Sequence, residues 1–384
     1  MEITTGQLKE MIGAEVTEAL EPLMRKQQNR MKDLLSAARS QERPEREKGT
    51  RAARVMRALA AGRGDPQRAA SFAEKAWDDD EVLKALAAGD STAGGFLLPE
   101  DISAEVIELL RPASVVRSLD PAVVPMVSGT LSIPKHTAGS SGGWIGENVN
   151  VPATRPTFGQ VRLTARKYAA LVPISNDLLR RASGAVDTMV RDDLVADIAT
   201  ATDLAFIRGD GNAGQPKGLK NWAGNSIAAN ATVNLTNVTN DLGTMIQTLL
   251  DNSVRMLRVG WIMEPRTWKE LVTIRDGNGN LAYKPEMDSG TLFGFRFRVT
   301  TQIPRNLGAG NETELYLADF ADVVIGEATQ VLIDASGETA YHDGSQVVAA
   351  FSLDQTVIRA VVEVDLAVRH AESVVVLTGV TWGV

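Results

Sequence analysis

Hydrophobic positions along this 384-residue chain change their period once, near residue 90. Ahead of that point apolar residues recur every three or four positions, the spacing of one helix face. Leu8, Ile12, Val16, Ala19 and Leu23 form such a stripe, and Leu34, Leu35 and Ala38 resume it. Pro22 divides the two pieces, because a proline inside a helix costs ~3 kcal/mol. Residues 41–51 form a charged linker containing Pro44. Helices are predicted over 52–61 and 67–88, on either side of a Gly62-Arg63-Gly64-Asp65-Pro66 turn. Arg63-Gly64-Asp65 matches an adhesion tripeptide, but the turn alone accounts for it. Thin apolar stripes under dense charge mark coiled-coil or bundle material, marginal alone and completed by a partner. A solvated tail is the plainer alternative.

Behind a small flexible junction, Gly89-Asp90-Ser91-Thr92-Ala93-Gly94-Gly95, the period shortens to that of strands. An extended arm over 94–99 leads into a short helix carrying Ile102, Val106, Ile107 and Leu110. Strands are predicted over 115–119, 122–126 and 129–135. Residues 158–168 alternate, with Val161, Leu163 and Ala165 on one face and Arg162, Thr164 and Arg166 on the other. Residues 136–157 between them hold little that could form a core. The whole of 129–170 therefore reads as one long hairpin, whose arms at ~3.3 Å per residue reach roughly 50 Å from their base. A hairpin of that length is marginal in isolation and needs something outside its own domain to lie on.

Ser175 is placed as the N-cap of a helix that runs, with a break near 182–184, to Arg208. Its stripe is Val190, Leu194, Ile198, Ala201 and Ala205, flanked by Arg191, Asp192, Asp193 and Asp197. About 23 residues of helix make a rod of roughly 34 Å. A smaller α+β unit follows, with a helix over 242–257, a buried strand over 260–263 and a short helix from Pro265 to Ile274. A turn at 276–279 and strands over 295–301 and 314–317 complete it. The end of the chain is β: 323–325, 331–333, 347–353, 357–368 and 374–380. The fold class is α+β.

Composition narrows the function. Hydrophobic residues make up 44% and charged residues 23%, ordinary for a soluble protein. No apolar run approaches the ~20 residues that span a bilayer, and Met1-Glu2-Ile3-Thr4-Thr5 does not start a secretory signal. With no Cys there is no disulfide framework or thiolate metal site, which fits a cytosolic origin. The N-x-Thr triplets at Asn230, Asn234, Asn237 and Asn311 then carry no meaning, since nothing indicates secretion. Residues 1–90 hold 16 Lys+Arg and 16 Asp+Glu, which leaves 24 against 32 in the body. The net charge of −8 lies wholly in the body, and an acidic body repels phosphate backbones.

No motif for catalysis, cofactor or metal survives inspection. Gly209-x-Gly211-x-x-Gly214 matches a dinucleotide fingerprint in letters only, because it follows a helix where the fingerprint needs a strand before and a helix after. Asp276-x-Asn278-x-Asn280 imitates a calcium loop but has Leu281 in place of the turn glycine and Met287 in place of the bidentate Glu. His136, His342 and His370 lie far apart in sequence, and none has a ligand-spaced carboxylate or second His. Asp319 and Asp322 could pair as carboxylates; a turn capped at both ends explains them more simply. The six Trp and nine Phe lack the basic interleaving of a stacking platform. Catalytic, cofactor-binding and metal-binding residues are accordingly assigned as none.

The order of parts resembles the major capsid protein family of tailed bacteriophages, with the Hong Kong ninety-seven-type fold. The likeness covers nearly the whole chain. It is carried by Gly94-Gly95-Phe96-Leu97-Leu98-Pro99, Ile133-Pro134, Trp144-Ile145-Gly146-Glu147 and Leu171-Val172-Pro173-Ile174-Ser175-Asn176-Asp177-Leu178-Leu179. Phe206-Ile207-Arg208-Gly209-Asp210-Gly211, Pro216-Lys217-Gly218-Leu219, Trp261-Ile262-Met263-Glu264-Pro265 and Gly290-Thr291-Leu292-Phe293-Gly294-Phe295 follow in order. The resemblance implies a helical scaffolding segment over 1–92, cleaved in some relatives at a junction like 89–95. It implies an N-arm and start of the peripheral domain over 93–128, and an extended loop over 129–170 lying on a neighbouring subunit. The peripheral domain with its spine helix would span 171–221, the axial domain 222–330, and strands closing both domains 331–384.

Implied partners are copies of the chain itself in homopentamers and homohexamers, a portal protein, a prohead protease and non-specifically contacted double-stranded DNA. No membrane and no cofactor are expected; the location would be the virion, with assembly in the bacterial cytoplasm. Some relatives weld subunits through a hairpin lysine, but no Lys occurs between Lys135 and Lys167, so no such crosslink is expected. Glu147, Arg155, Arg162 and Arg166 are candidate contacts to neighbours, or else a solvated edge that blocks aggregation. A gene-transfer particle or encapsulin-like nanocompartment is the second reading, and the scaffold-like front argues against the nanocompartment. A hydrolase using Asp319 and Asp322 is the third.

Overall fold

The computed structural model describes residues 50–77, 79–88, 96–97, 100–138, 157–177, 184–328 and 331–384. The helices expected over 5–40 and the outer part of the long hairpin lie outside the described residues. Three helices come first: α1 (Thr50–Ala61), α2 (Pro66–Ala76) and α3 (Asp80–Ala88). The Arg63-Gly64-Asp65 turn does what its chemistry suggests. Arg63 and Gly64 take positive φ of 55° and 81°, and Asp65 caps α2 by accepting from the amides of Gln67 (2.9 Å) and Arg68 (3.4 Å). The single helix expected over 67–88 breaks after Ala76. Trp77 turns edge-on to Phe72 and under the guanidinium of Arg57, 5.0 Å from the ring centre, while Arg54 pairs with Asp79 at 3.0 Å.

These helices belong to the main core. Eight of the twelve residues of α1 are buried, among them Val55, Met56 and Leu59. With Val82 and Leu86 of α3 they join one apolar cluster with the large body. Burying these five side chains contributes roughly 1.5–3 kcal/mol each, about 10 kcal/mol together, which is the size of a domain's whole net stability.

The body continues with β1 (Phe96–Leu97), α4 (Glu100–Ala113), β2 (Ala122–Pro125), β3 (Thr130–Ala138), β4 (Thr157–Thr164), β5 (Arg166–Ser175) and α5 (Gly184–Arg208). Next come α6 (Leu219–Trp222), β6 (Asn225–Ala228), α7 (Leu235–Asp251), β7 (Val259–Met263), α8 (Pro265–Thr273), α9 (Lys284–Asp288), β8 (Thr291–Leu292), β9 (Phe295–Val299) and β10 (Thr313–Asp319). The chain ends with β11 (Val323–Glu327), β12 (Leu332–Ser336), β13 (Ala340–His342), β14 (Val347–Ala349), β15 (Gln355–Val368) and β16 (Val374–Val380).

Two six-stranded sheets organise these elements. The first runs β1-β12-β15-β11-β2, with β5 antiparallel to β15 from Ser175 against Gln355 to Arg166 against Val364. The second runs β6-β16-β10-β7-β9-β8 and carries its own apolar core around Trp261, Leu315 and Trp382. The chain leaves the second sheet at Asp319 and enters the first at Val323. Residues 323–327, counted with the 222–330 unit in the sequence, thus form β11 of the first sheet. β16 returns to the second sheet, so the closing strands serve both.

The strand expected over 115–119 is not one. Arg117–Leu119 is a 3₁₀ turn, because the amides of Val115 and Val116 are taken by the Asp203 carboxylate of α5 instead of a strand partner. Likewise, the alternating run 158–168 turns a corner at Ala165. The amide of Ala165 donates to Gly129 (2.7 Å), so β4 pairs with β3 while β5 leaves for β15. The strand expected over 347–353 stops at Ala349 and passes into a 3₁₀ turn, Ala350–Leu353.

Candidate assembly elements

β3 and β4 pair only with each other among the described residues, from Thr130 against Thr164 to Ala138 against Thr157. The root of this ribbon is fastened to its own body. Val161 and Leu163 are buried against Met126, Val324 and Ala367, and the Asp365 carboxylate accepts from the Thr164 amide at 2.7 Å. Burial pushes the Asp365 carboxyl above its ordinary range, against the pull of that bond. Outward the cover ends: Phe158 is 64% exposed. Arg162 is exposed on the face opposite Val161 and Leu163, and Arg166 is half-buried at the root. Glu147 and Arg155 lie outside the described residues.

Beside the root, a groove of about 390 Å³ runs between β5 and the end of α5, rimmed by Arg166, Lys167 and Arg208 and floored by Leu204. Tyr168 borders it and donates to Asp197 at 2.9 Å. Burial first, then that bond and the nearby negative charge, push the Tyr168 hydroxyl up to about 12.

A polar hub joins the two sheets. Asp203 accepts from the Ser114 hydroxyl (2.6 Å) and the amides of Val115 (2.6 Å) and Val116 (3.2 Å). Burial outweighs these donors and raises its carboxyl above the ordinary range. Arg117 forms a buried ion pair with Glu327 of β11 and lies 5.9 Å from the Phe206 ring. From the second sheet side, Arg298 donates to Ser118 (2.9 Å), Arg258 to the Asp120 carbonyl (2.7 Å), and Arg296 pairs with the Asp120 carboxylate (3.1 Å). A second buried cluster centres on Glu314, which meets Lys220 (2.6 Å), Arg208 (3.2 Å) and the Tyr316 hydroxyl (2.6 Å). A strand over 115–119 would leave no place for this hub. A signal existed: Asp203 stands eight residues after Val195 and four after Ala199, in phase with the buried side of α5.

The sequence motifs resolve into turns. Residues 209–218 follow the C-terminus of α5, Asp210 caps its own loop through the Asn212 amide (2.8 Å), and Gly211 and Gly214 take positive φ. A phosphate there would face the wrong end of the helix dipole. Asp276 accepts from the amides of Asn278 and Asn280, both at 2.8 Å, and the Asn280 contacts hold its carboxyl below the usual range.

Asp319 is spent on capping, taking the amides of Leu257, Arg258 and Ala321. Asp322 lies on a cavity of about 670 Å³ with Lys135, Arg255, Arg369 and His370. Its Oδ2 receives the Ser373 hydroxyl (2.5 Å) and faces His370 Nδ1 (3.3 Å). A serine hydrolase places the imidazole between nucleophile and carboxylate; here Ser373 and His370 share one carboxylate oxygen instead. His342 accepts from the Gly344 amide, and His136 has no described side chain. Among the described residues no group of three or more His, Asp and Glu could hold a metal ion.

The comparisons with known proteins follow this architecture. A sequence model of the phage capsid family matches residues 94–379. The chain belongs to the phage capsid family. A major capsid protein of Klebsiella oxytoca phage phiKO2 is 40% identical over 346 residues, covering 88% of this chain and 80% of that protein. A capsid polyprotein of Pseudomonas phage PAJU2 is 24% identical over 88% of this chain and 55% of its own length. Among solved capsids, that of Microbacterium phage Oxtober96 superposes with a TM-score of 0.54 at 16% identity, over 69% of this chain and 90% of that one. The capsid of a native GTA particle gives 0.53 at 14%, with the same two coverages. Since 88% of the chain matches the phiKO2 protein while the family model starts at residue 94, that similarity reaches upstream into α1–α3.

Proposed function

We propose that this chain is the major capsid protein of a tailed phage, a structural subunit of the virion that closes with copies of itself into an icosahedral shell. The observation that carries this is the 40% identity to the phiKO2 major capsid protein across most of both chains. The architecture supports it: β3 and β4, rooted in the body and among the described residues strand-paired only with each other, gain further contacts from a neighbouring copy. In this reading residues 93–128 are the N-arm and start of the peripheral domain, 129–170 the loop that overlaps a neighbour, 171–221 the peripheral domain and 222–330 the axial domain. Residues 331–384 close both. Pentamers and hexamers form in the host cytoplasm, aided by scaffolding from the front segment. A portal protein, a protease and packaged double-stranded DNA are the other partners.

A body with 24 basic against 32 acidic residues holds that DNA loosely, since phosphate contacts need cationic partners. No helix among the described residues is long and apolar enough to cross a membrane. The GTA capsid neighbour keeps a gene-transfer particle as the second reading of the same shell. Negative-stain microscopy of the expressed full chain tests the proposal. Closed shells of uniform diameter are expected; discrete small oligomers at high concentration would overturn it.

A further inference from the structure

The segment ahead of the family match divides within itself. The chain separates into units between Glu47 and Lys48, not at the 89–95 junction. From Thr50 onward the helices are built into the body. α1 lies against α4, α5, β12 and β15, and Ala52, Ala53, Val55 and Ala58 have no exposed surface. The α1–α2 turn sits so close to β12 that a methyl group on Gly64 would come within 2.5 Å of the Ala335 carbonyl oxygen. Arg51 pairs with Glu105 of α4 at 3.3 Å, and the Arg54, Arg57, Trp77 and Asp79 cluster fixes the three helices to one another. A surface helix keeps one wet face; α1 is buried nearly all round.

We propose that residues 50–88 are a permanent helical cap of the shell-forming body, and that whatever is shed during maturation ends upstream of Thr50. Taking the cap away would bare the apolar side chains of α5, β12 and β15 beneath it, a contiguous patch that a soluble or shell-bound subunit must cover again. This inference rests on the shell reading, so its test has two arms. In the first, tryptic peptides from purified mature particles are quantified by mass spectrometry. Peptide 69–75 is expected in equimolar amount with peptide 270–275. Less than one tenth of that amount would overturn the cap, and would mean that another copy covers the face in the mature shell.

The second arm does not depend on particles. In hydrogen exchange on the soluble full chain, α1 amides are expected to be protected within tenfold of those in β15. Exchange at the rate of an unpacked helix would overturn the proposal. A chain that shows protected α1 amides yet never assembles would sink the shell reading and leave the cap standing.

Discussion

Asp203 is a carboxylate in the buried face of a helix, where three donors from residues 114–116 converge on it. Replacing it by Ala leaves those donors without a partner, and one buried unsatisfied group costs about 1–3 kcal/mol. Asp203→Ala is expected to lose about 3 kcal/mol or more in urea unfolding, and to loosen the 114–120 turn that both sheets share. The pH dependence follows from the raised carboxyl. A group whose folded value lies above its unfolded one contributes stability that is full below the unfolded value and fades as pH rises through the folded one. The stability of the parent chain minus that of Asp203→Asn is therefore expected to decrease from pH 4 to pH 7. A difference that grows over this range would contradict the assignment. Tyr168 gives an optical readout: its phenolate absorbance is expected to emerge only near pH 12, and Tyr168→Phe is expected to reduce the absorbance gained there by that of one phenolate.

Elements were legible where a local pattern decides them and illegible where a distant partner does. The long helix, the pairing of β3 with β4 through the root residues Val161 and Leu163, and the buried strand at Trp261 all follow from periodicity alone, whereas the corner at Ala165 does not. Nor does the phase of α5. Its buried side runs through Leu194, Ile198, Thr202 and Phe206 with Asp203 beside them, because Thr202 satisfies its hydroxyl on the Ile198 carbonyl of its own helix and Asp203 finds donors in residues 114–116 that no helical wheel contains. The 115–119 run looked like a strand since Val115, Val116 and Leu119 are strand-forming residues, yet the α5 carboxylate captured its amides. The break at Trp77 arises in the same way from Arg54 and Arg57, some 20 residues upstream. At the α1–α2 turn the constraint is steric. Gly64→Ala adds a methyl against the Ala335 carbonyl at a φ of 81°, and is expected to cost more than 1 kcal/mol, read as a lower thermal midpoint.

At the scale of the whole molecule, the hub around 114–120 ties the two sheets together and the cluster at Glu314 ties the second sheet to α5 and α6, while the described part of the ribbon is fastened at its root. Such a division suits a subunit whose body is finished before assembly and whose remaining contacts come from other copies. Specific interfaces need at least ~1,000 Å² each, and a closed shell spreads that need over many neighbours. Because no Lys stands between Lys135 and Lys167, denaturing gels of mature particles are expected to show monomer and no covalent ladder.

The most direct measurement is sedimentation velocity on a variant in which residues 139–156 are replaced by a two-residue Asn-Gly turn, run beside the parent chain. The account predicts a variant with the parent's thermal midpoint that sediments as free subunits or single capsomers while the parent forms closed particles. Shells from the shortened chain as abundant and uniform as the parent's would contradict it.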